Sequence, residues 1–389
     1  MQHELCLFRN APDLVPSNPV PFHEEEEQKH VKRRLSFLYG CAPGRFPGSN
    51  PVSIERKDLQ DRMQGREYLS GLKTDGVRYL LLLTMHNQEP RAIMINRRFR
   101  MWEIEVWAPL SFFEKESVLD GELVWERVSH NRLQQVFLVF DSPHIRSSLL
   151  SSPYSSRLDA LHKCVMSSPP AELERTILEE DKIFLASSDM KMCPKRFVPV
   201  EMALSLWEER GSVRHRNDGM IFVEDTTLKS GGTDSSVLKW KPCSDITIDV
   251  LVRKDKVIVF SSGKEHLLDT VLLEGKKRNV HLKRNDIFLS LYEEETKDDI
   301  FECSCSFEKE TVHLYPLRVR SDKQSPNDLS TVLKTLNNIL EDLPIEEVCS
   351  FFKKDEADEH RDLPGVCGGE RDREGEDRKR NEEAKRARR

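Results

Sequence analysis

From Tyr68 onward the chain alternates short apolar runs with polar or glycine-containing breaks, a pattern of strands more than of long helices. Tyr79-Leu80-Leu81-Leu82-Leu83, Ile93–Ile95, Trp102–Trp107, Leu119–Trp125, Val136–Phe140, Met220–Val223 and Val237–Trp240 read as strands, interrupted by a helical segment near Ser156–Met166. Strands with interspersed helices predict an α+β domain built on antiparallel sheet. A second strand-dense zone runs from Ile246 to Val319, with runs at 248–252, 257–260, 280–282, 287–291 and 312–317. That density suits a small β-barrel of the OB-fold kind. After Pro326 the period changes. Leu329, Val332, Leu333, Leu336, Ile339 and Leu340 recur at helical spacing, with Asn327 and Asp328 as candidate N-caps and Pro344 as the stop.

The two ends carry no such pattern. Residues 1–40 combine Pro12, Pro16, Pro19 and Pro21 with the acidic run Glu24–Glu27, which predicts a flexible N-terminal arm. Residues 353–389 are charged and almost devoid of apolar side chains, which predicts a disordered tail. The predicted organisation is therefore an arm (1–40), an α+β domain (41–242), a barrel domain (243–327) and a closing helix (328–345) that packs as core, with the first domain as a candidate partner.

Composition narrows the function classes. The 389 residues are 38% hydrophobic and 33% charged, with a net charge of −7, so a nucleic-acid partner would need a local basic groove. No apolar stretch approaches the roughly 20 residues of a membrane span, and no membrane contact is expected. The polar first residues lack a secretory pattern. Nine cysteines show no disulfide framework; Cys303-Ser304-Cys305 has no second pair at zinc spacing, so free thiols are expected.

The informative residues sit at the strand boundaries. Lys73-Thr74-Asp75-Gly76-Val77-Arg78 precedes the run 79–83 and has the form K-x-D-G-x-R. Asp-Gly alone would suit a surface turn. Further along come Asp120-Gly121-Glu122, Phe137-Leu138-Val139-Phe140-Asp141 and Asp218-Gly219-Met220-Ile221-Phe222. They are followed by Leu238-Lys239-Trp240-Lys241-Pro242 and Arg318-Val319-Arg320-Ser321-Asp322-Lys323-Gln324-Ser325-Pro326-Asn327. In a strand, Lys239 and Lys241 share one face opposite Trp240, and two ammoniums on one face suit a triphosphate. Lys229–Thr233 lacks the G-x-x-x-x-G-K-[ST] spacing of a phosphate loop and reads as a turn.

In order and spacing these strings resemble the motifs of the covalent lysyl-nucleotidyltransferases, and within them the mRNA capping guanylyltransferases. The resemblance covers roughly residues 44–345. It implies an antiparallel-sheet nucleotidyltransferase domain followed by a C-terminal OB-fold barrel. It also implies that Lys73 attacks the α-phosphorus of GTP, carries GMP covalently and passes it to the 5′-diphosphate end of RNA. By the same resemblance Glu122 binds the ribose and Phe137 stacks on guanine. Lys195 is a candidate for the guanine edge, and Asp218 lies near the metal or α-phosphate. Arg78, Lys239 and Lys241 supply cations near the lysine. Arg320 and Lys323 are expected to reach the β- and γ-phosphates when the barrel closes, and Asp322 of the same motif is a further candidate for nucleotide binding. The implied metal is Mg2+ (or Mn2+).

The implied partners are a separate RNA triphosphatase and a separate cap methyltransferase, since neither an H-C-x-x-G-x-x-R loop nor a glycine-rich methyltransferase segment is present. The phosphorylated tail of RNA polymerase II is a further candidate. The expected location is the nucleus, or the cytoplasm for a viral enzyme. An ATP-dependent polynucleotide ligase and an inactive polymerase-binding scaffold are the alternatives. The L-K-W-K-P and R-x-R-x-D-K-x-x-P-N strings argue against the first, and the intact lysines and carboxylates against the second.

Overall fold

The computed structural model describes residues 14–352 apart from 18, 23, 130–131, 168–180, 186–189, 255, 284–297 and 322. The expected strand at 287–291, the charged tail and Asp322 lie outside the described residues. Among those described, one seven-stranded sheet has the order β1 (Val20–Pro21), β6 (Met101–Glu103), β5 (Glu89–Asn96), β4 (Val77–His86), β8 (Ser117–Ser129), β9 (Arg132–Ile145), β11 (Met190–Pro194). A five-stranded sheet has the order β12 (Val198–Pro199), β3 (Tyr68–Thr74), β13 (Asn217–Glu224), β14 (Thr233–Trp240), β2 (Asn50–Ser53). A two-stranded ribbon joins β7 (Val106–Trp107) to β10 (Phe184–Leu185).

The unbroken run Leu80–Leu83 reflects burial on both faces of the first sheet. Leu81 and Leu83 join Phe137, Val139 and the helix Tyr154–Cys164 in one core. Leu80 and Leu82 join Ile93, Ile95 and an N-terminal helix, α1 (Glu25–Leu38), in another. The first core also takes in Val223 of β13, with Leu69, Ile221 and Val237 packed against it, so the two sheets share apolar contacts.

Helix α1 corrects the expectation of a flexible arm over 1–40. Val31, Leu35 and Leu38 are spaced i, i+4, i+7, which makes one apolar stripe in an otherwise charged segment. Glu25–Glu27 occupy its first turn, where carboxylates favour the helix dipole. Upstream, the Leu14 carbonyl accepts a hydrogen bond from the Tyr79 hydroxyl at 2.6 Å, and β1 pairs with β6. Composition hid these contacts because only a few positions carry them.

A third sheet, again of seven strands among the described residues, has the order β17 (Lys264–Leu267), β16 (Lys256–Ser261), β15 (Thr247–Arg253), β20 (Asp299–Glu308), β21 (Thr311–Val319), β19 (Lys276–Leu282), β18 (Thr270–Leu273). It is the curled sheet of an OB-fold domain. Helix α2 (Leu329–Glu341) starts at Asp328, whose carboxylate accepts the Ser330 N–H, and buries Val332 and Leu336 in the core of this sheet. The same helix reaches the first domain with polar groups. Asn338 donates to the Ile54 carbonyl at 2.8 Å, and Lys334 pairs with Glu55 at 3.1 Å. Arg56 holds Glu347 of the next helix, α3 (Ile345–Ser350), at 2.6 Å.

Candidate active site

The sequence holds three Asp-Gly dipeptides in the motifs described above, and none of them forms a hairpin turn. Asp75-Gly76 carries the chain from β3 in the second sheet to β4 in the first. Lys73 and Arg78, five residues apart, therefore stand on different sheets. A Cβ at Gly76 would lie 2.5 Å from the Leu123 carbonyl oxygen and 2.9 Å from the Glu122 side chain, so only glycine lets the crossing pass this close. Asp120-Gly121 lies inside β8. Asp218-Gly219 lies inside β13, where the register against β3 shifts between Asn217 and Met220. Gly219 has φ +152°, and a Cβ there would meet the Trp240 carbonyl oxygen at 2.0 Å. This irregularity re-aims a side chain, as bulges beside active sites do. Here that side chain is Asp218.

Asp218 is the centre of the second-sheet wall. Its Oδ1 accepts from Lys73 Nζ at 2.6 Å, and its Oδ2 meets Lys241 Nζ at 2.5 Å. Burial works to raise its pKa, but Lys73 and then Lys241 outweigh burial and hold the carboxyl below the usual range. Lys239, on β14 opposite Ile221, is pushed down to about 8, first by burial and then by Lys73 and Lys241.

The first-sheet wall faces these lysines. Arg78 forms a two-point ion pair with Asp120, at 2.8 and 2.5 Å, and donates to the Ser49 carbonyl at 2.6 Å. Burial opposes its charge, but the Asp120 carboxylate prevails and its pKa is raised. Arg78 is thus a neutralised fixture of the wall and not a spare cation beside Lys73. Glu122, raised by burial against the pull of Lys195 and Lys73, lies 4.0 Å from Lys195 Nζ. Lys195, 8% exposed, is pushed down to about 8 by burial. Its ammonium stands 5.9 Å from the centre of the Phe140 ring, and the Arg78 guanidinium 5.2 Å from the same ring.

The structure thus brings Lys73, Asp218, Lys239, Lys241, Glu122, Lys195 and Arg78 to one cleft between two sheets. It corrects Phe137. That ring is 0% exposed, belongs to the core and packs against Gly121. Cross-strand pairing explains this. Glu122 sits opposite Leu138 and Leu123 opposite Phe137, so Leu138 and Phe140 share the face of Glu122. Phe140 is the aromatic on the cleft side.

Arg97 was missed. It follows β5, beside β4 (Tyr79 pairs with Asn96); its side chain is exposed, and the protein packed around it and then Arg78 lower its pKa. A charge placed directly at the end of the apolar strand 93–95 was the available signal. Arg320 and Lys323 are not in the cleft wall with Lys73. Asp249 of the barrel holds both, Arg320 at 3.0 Å and Lys323 by a short ion pair.

Sequence comparison fits this geometry. The family pattern described as "mRNA capping enzyme, catalytic domain" matches residues 15–243, and "mRNA capping enzyme, C-terminal domain" matches 247–349. The chain belongs to the mRNA capping enzyme family. Within this family it is a nucleotidyltransferase with guanylyltransferase activity. An mRNA-capping enzyme subunit alpha of Schizosaccharomyces pombe is 28% identical, over 85% of this chain and 86% of its own. An mRNA-capping enzyme of Danio rerio is 27% identical over 79% of this chain, which spans half of that longer relative. An ATP-dependent DNA ligase of bacteriophage T7 superposes with a TM-score of 0.30 at 13% identity, over 60% of this chain and 80% of the ligase. That likeness is too loose to bear on activity.

Proposed function

We propose that Lys73 is the residue that carries the guanylate, and that the cleft between the two sheets is where GTP and then RNA react with it. The observation that carries this reading is the shared carboxylate: Asp218 holds Lys73 and Lys241 at 2.6 and 2.5 Å, opposite Glu122, Lys195 and Phe140. An amine, a phosphate-binding pair and a nucleoside-sized polar wall face one another.

The first half-reaction forms a bond from Lys73 Nζ to the α-phosphorus of GTP and breaks the bond to the pyrophosphate oxygen. Asp218 orients the amine and lies within reach of the proton it must shed. Lys239 and Lys241 take the charge that develops on the α-phosphate oxygens. Glu122 accepts hydrogen bonds from the ribose hydroxyls. Phe140 stacks on the base, a contribution of about 1–3 kcal/mol that does not choose among bases. Lys195, beside that ring, donates to the guanine edge. In the second half-reaction a terminal oxygen of a 5′-diphosphate RNA attacks the same phosphorus. The P–N bond then breaks and Lys73 recovers its proton. Arg320 and Lys323 leave Asp249 for the β- and γ-phosphates when the barrel closes, which favours the first step; opening admits RNA.

Asp218 offers carboxylate oxygens, the hard donors that Mg2+ or Mn2+ takes, once its lysines turn to the phosphates. Among the described residues there is no cluster of three or more carboxylate, histidine or cysteine side chains, so Asp218 is the residue that would hold the ion. Bound there, it would supply charge neutralisation at the phosphates. The partners are an RNA triphosphatase that makes the diphosphate end, a methyltransferase that acts on the product and, in the nucleus, the phosphorylated polymerase tail. The fungal relatives' designation as subunit alpha fits an assembly with a second subunit.

The decisive experiment incubates the chain with magnesium and α-labelled GTP, or separately ATP. Label from GTP that survives denaturing electrophoresis and is removed by added pyrophosphate is the expected result. Labelling by ATP in preference to GTP would mean a ligase.

The lysines also set a pH dependence. Lys239 and Lys195 titrate near 8, so both are charged below that pH and lose charge as it rises. Phosphate and guanine contacts need the charged forms. GTP affinity should therefore fall as pH rises through about 8. Lys239→Arg, permanently charged, should remove one of the two protons from that dependence. Equal GTP affinity on both sides of this pH would contradict the assignment.

A further inference from the structure

The turn that follows β5 is more rigidly built than its exposure requires. Asn96, 8% exposed, accepts the backbone N–H groups of both Arg98 and Arg100 on its side-chain oxygen, each at 3.0 Å. Its backbone N–H donates to the Arg100 carbonyl at 3.1 Å, and its carbonyl accepts from Phe99 at 2.9 Å. Phe99 adopts φ +57°, a conformation side chains rarely take. Its ring is clamped between Phe46, edge-on at 6.3 Å, and the Lys32 ammonium at 5.2 Å. A left-handed residue is what closes the short β5–β6 hairpin, and these contacts order the loop.

The turn sends its arginines two ways. Arg97 goes toward Arg78, Asp120 and Glu122 in the nucleotide cleft. Arg98 and Arg100 are exposed and line a second cleft of about 690 Å³, whose far wall is Lys323, Gln324, Ser325 and Pro326 of the barrel. One hydrogen-bonded loop thus joins the first cleft to a groove lined by Arg98, Arg100 and Lys323. In a chain of net charge −7, a groove lined by Arg98, Arg100 and Lys323 is a local surface suited to a polyanion.

We propose that Arg98 and Arg100 grip the backbone phosphates of the first nucleotides of the RNA acceptor. The proposal rests on the reading of Lys73 as the guanylate carrier. In-line displacement makes pyrophosphate leave, and the RNA diphosphate enter, on the side of phosphorus opposite Lys73. The rest of the RNA then has to exit between the sheet and the barrel. Guanidinium groups suit this role because they match phosphate oxygens two at a time. Prior ordering of the turn lowers the entropic cost of binding.

The test compares the full chain with R98A/R100A and R98K/R100K. Label transfer from GTP to the enzyme should be unchanged in all three. Transfer to a 5′-diphosphate mononucleoside, which has no downstream phosphate, should also be unchanged. With a short 5′-diphosphate oligoribonucleotide, the alanine pair should raise KM by about tenfold with kcat unaltered. It should also lower the salt slope by about 1.4, or roughly 0.7 per lost phosphate contact on a single strand. The lysine pair should recover part of the affinity. Loss of GTP labelling would assign the arginines to the triphosphate, and equal loss with both acceptors would assign them to the fold; either overturns the grip. Unchanged oligonucleotide KM would also overturn it, and would turn attention to an acidic or phosphorylated peptide on this surface. Equilibrium binding of the oligonucleotide separates this proposal from the Lys73 reading. It should weaken about tenfold in R98A/R100A and stay constant in K73A. If the wild-type chain formed no guanylate adduct yet showed that pattern, only the Lys73 reading would fall.

Discussion

Lys73→Ala should abolish covalent labelling from GTP, by a factor on the order of 10⁴ or more, as loss of a nucleophile does elsewhere. No other lysine can substitute. Lys241 stands on the far oxygen of Asp218 and Lys239 on β14, and in the proposed reaction both turn to the phosphate oxygens. Lys73→Arg should be equally inactive, because a guanidinium stays protonated and has no free electron pair at neutral pH. Neither change should unfold the protein. Lys73 is half-buried near the end of β3, and Asp218 keeps Lys241 as a partner. GTP should still bind both variants, so equilibrium binding can be read beside labelling. Persistent labelling in Lys73→Ala would remove the central assignment.

Gly219→Ala should lower the labelling rate by about 10² without touching a reacting group. The added carbon would fall 2.0 Å from the Trp240 carbonyl oxygen, a backbone atom that cannot swing aside. Relief requires β13 and β14 to part, which moves Asp218 from Lys73 and Lys241 from Asp218 together. Displacement by about 1 Å is enough for a loss of about 10² in rate. Overpacking adds a destabilisation of roughly 1–3 kcal/mol, visible as a lower melting temperature. Gly211→Ala is the matched control, since nothing lies within 4 Å of its would-be Cβ. Labelling by Gly219→Ala at the wild-type rate would mean that the irregularity in β13 does not position Asp218.

The three Asp-Gly dipeptides show where a sequence reading succeeds and where it stops. Motif order located Lys73, Glu122 and Asp218 at the ends or bends of strands, and the structure gathers them at one cleft. The same dipeptides taken as local chemistry predict turns, and that is wrong for each: one crosses between sheets and two lie within strands. Close approach, to the Leu123 and Trp240 carbonyls and to the Phe137 ring, is why glycine is there, and such approach is set by partners distant in sequence. Phe137 illustrates the same limit. Its string was legible, but which of its aromatics faces the cleft depends on the register of β9 against β8, which shifts at irregular positions that no periodicity reveals. Helix α1 escaped because the residues that bury it are few and spaced apart. Short strands at 264–267 and 270–273 escaped because Leu267 and Leu272, their natural markers, point outward at 46% and 66% exposure.

Since Lys73 and Arg78 belong to opposite sheets but to one continuous stretch of backbone, the cleft has a built-in stop. Five residues of extended chain reach at most about 18 Å, and the pairing of Val77 with Leu123 and the Asp75 N–H bond to the Arg216 carbonyl tie that stretch down further. The nucleotide-facing walls cannot spread apart at this end. If the barrel moves as proposed, the room RNA needs comes from its side alone, and the cleft is a vise with one fixed jaw and one movable one.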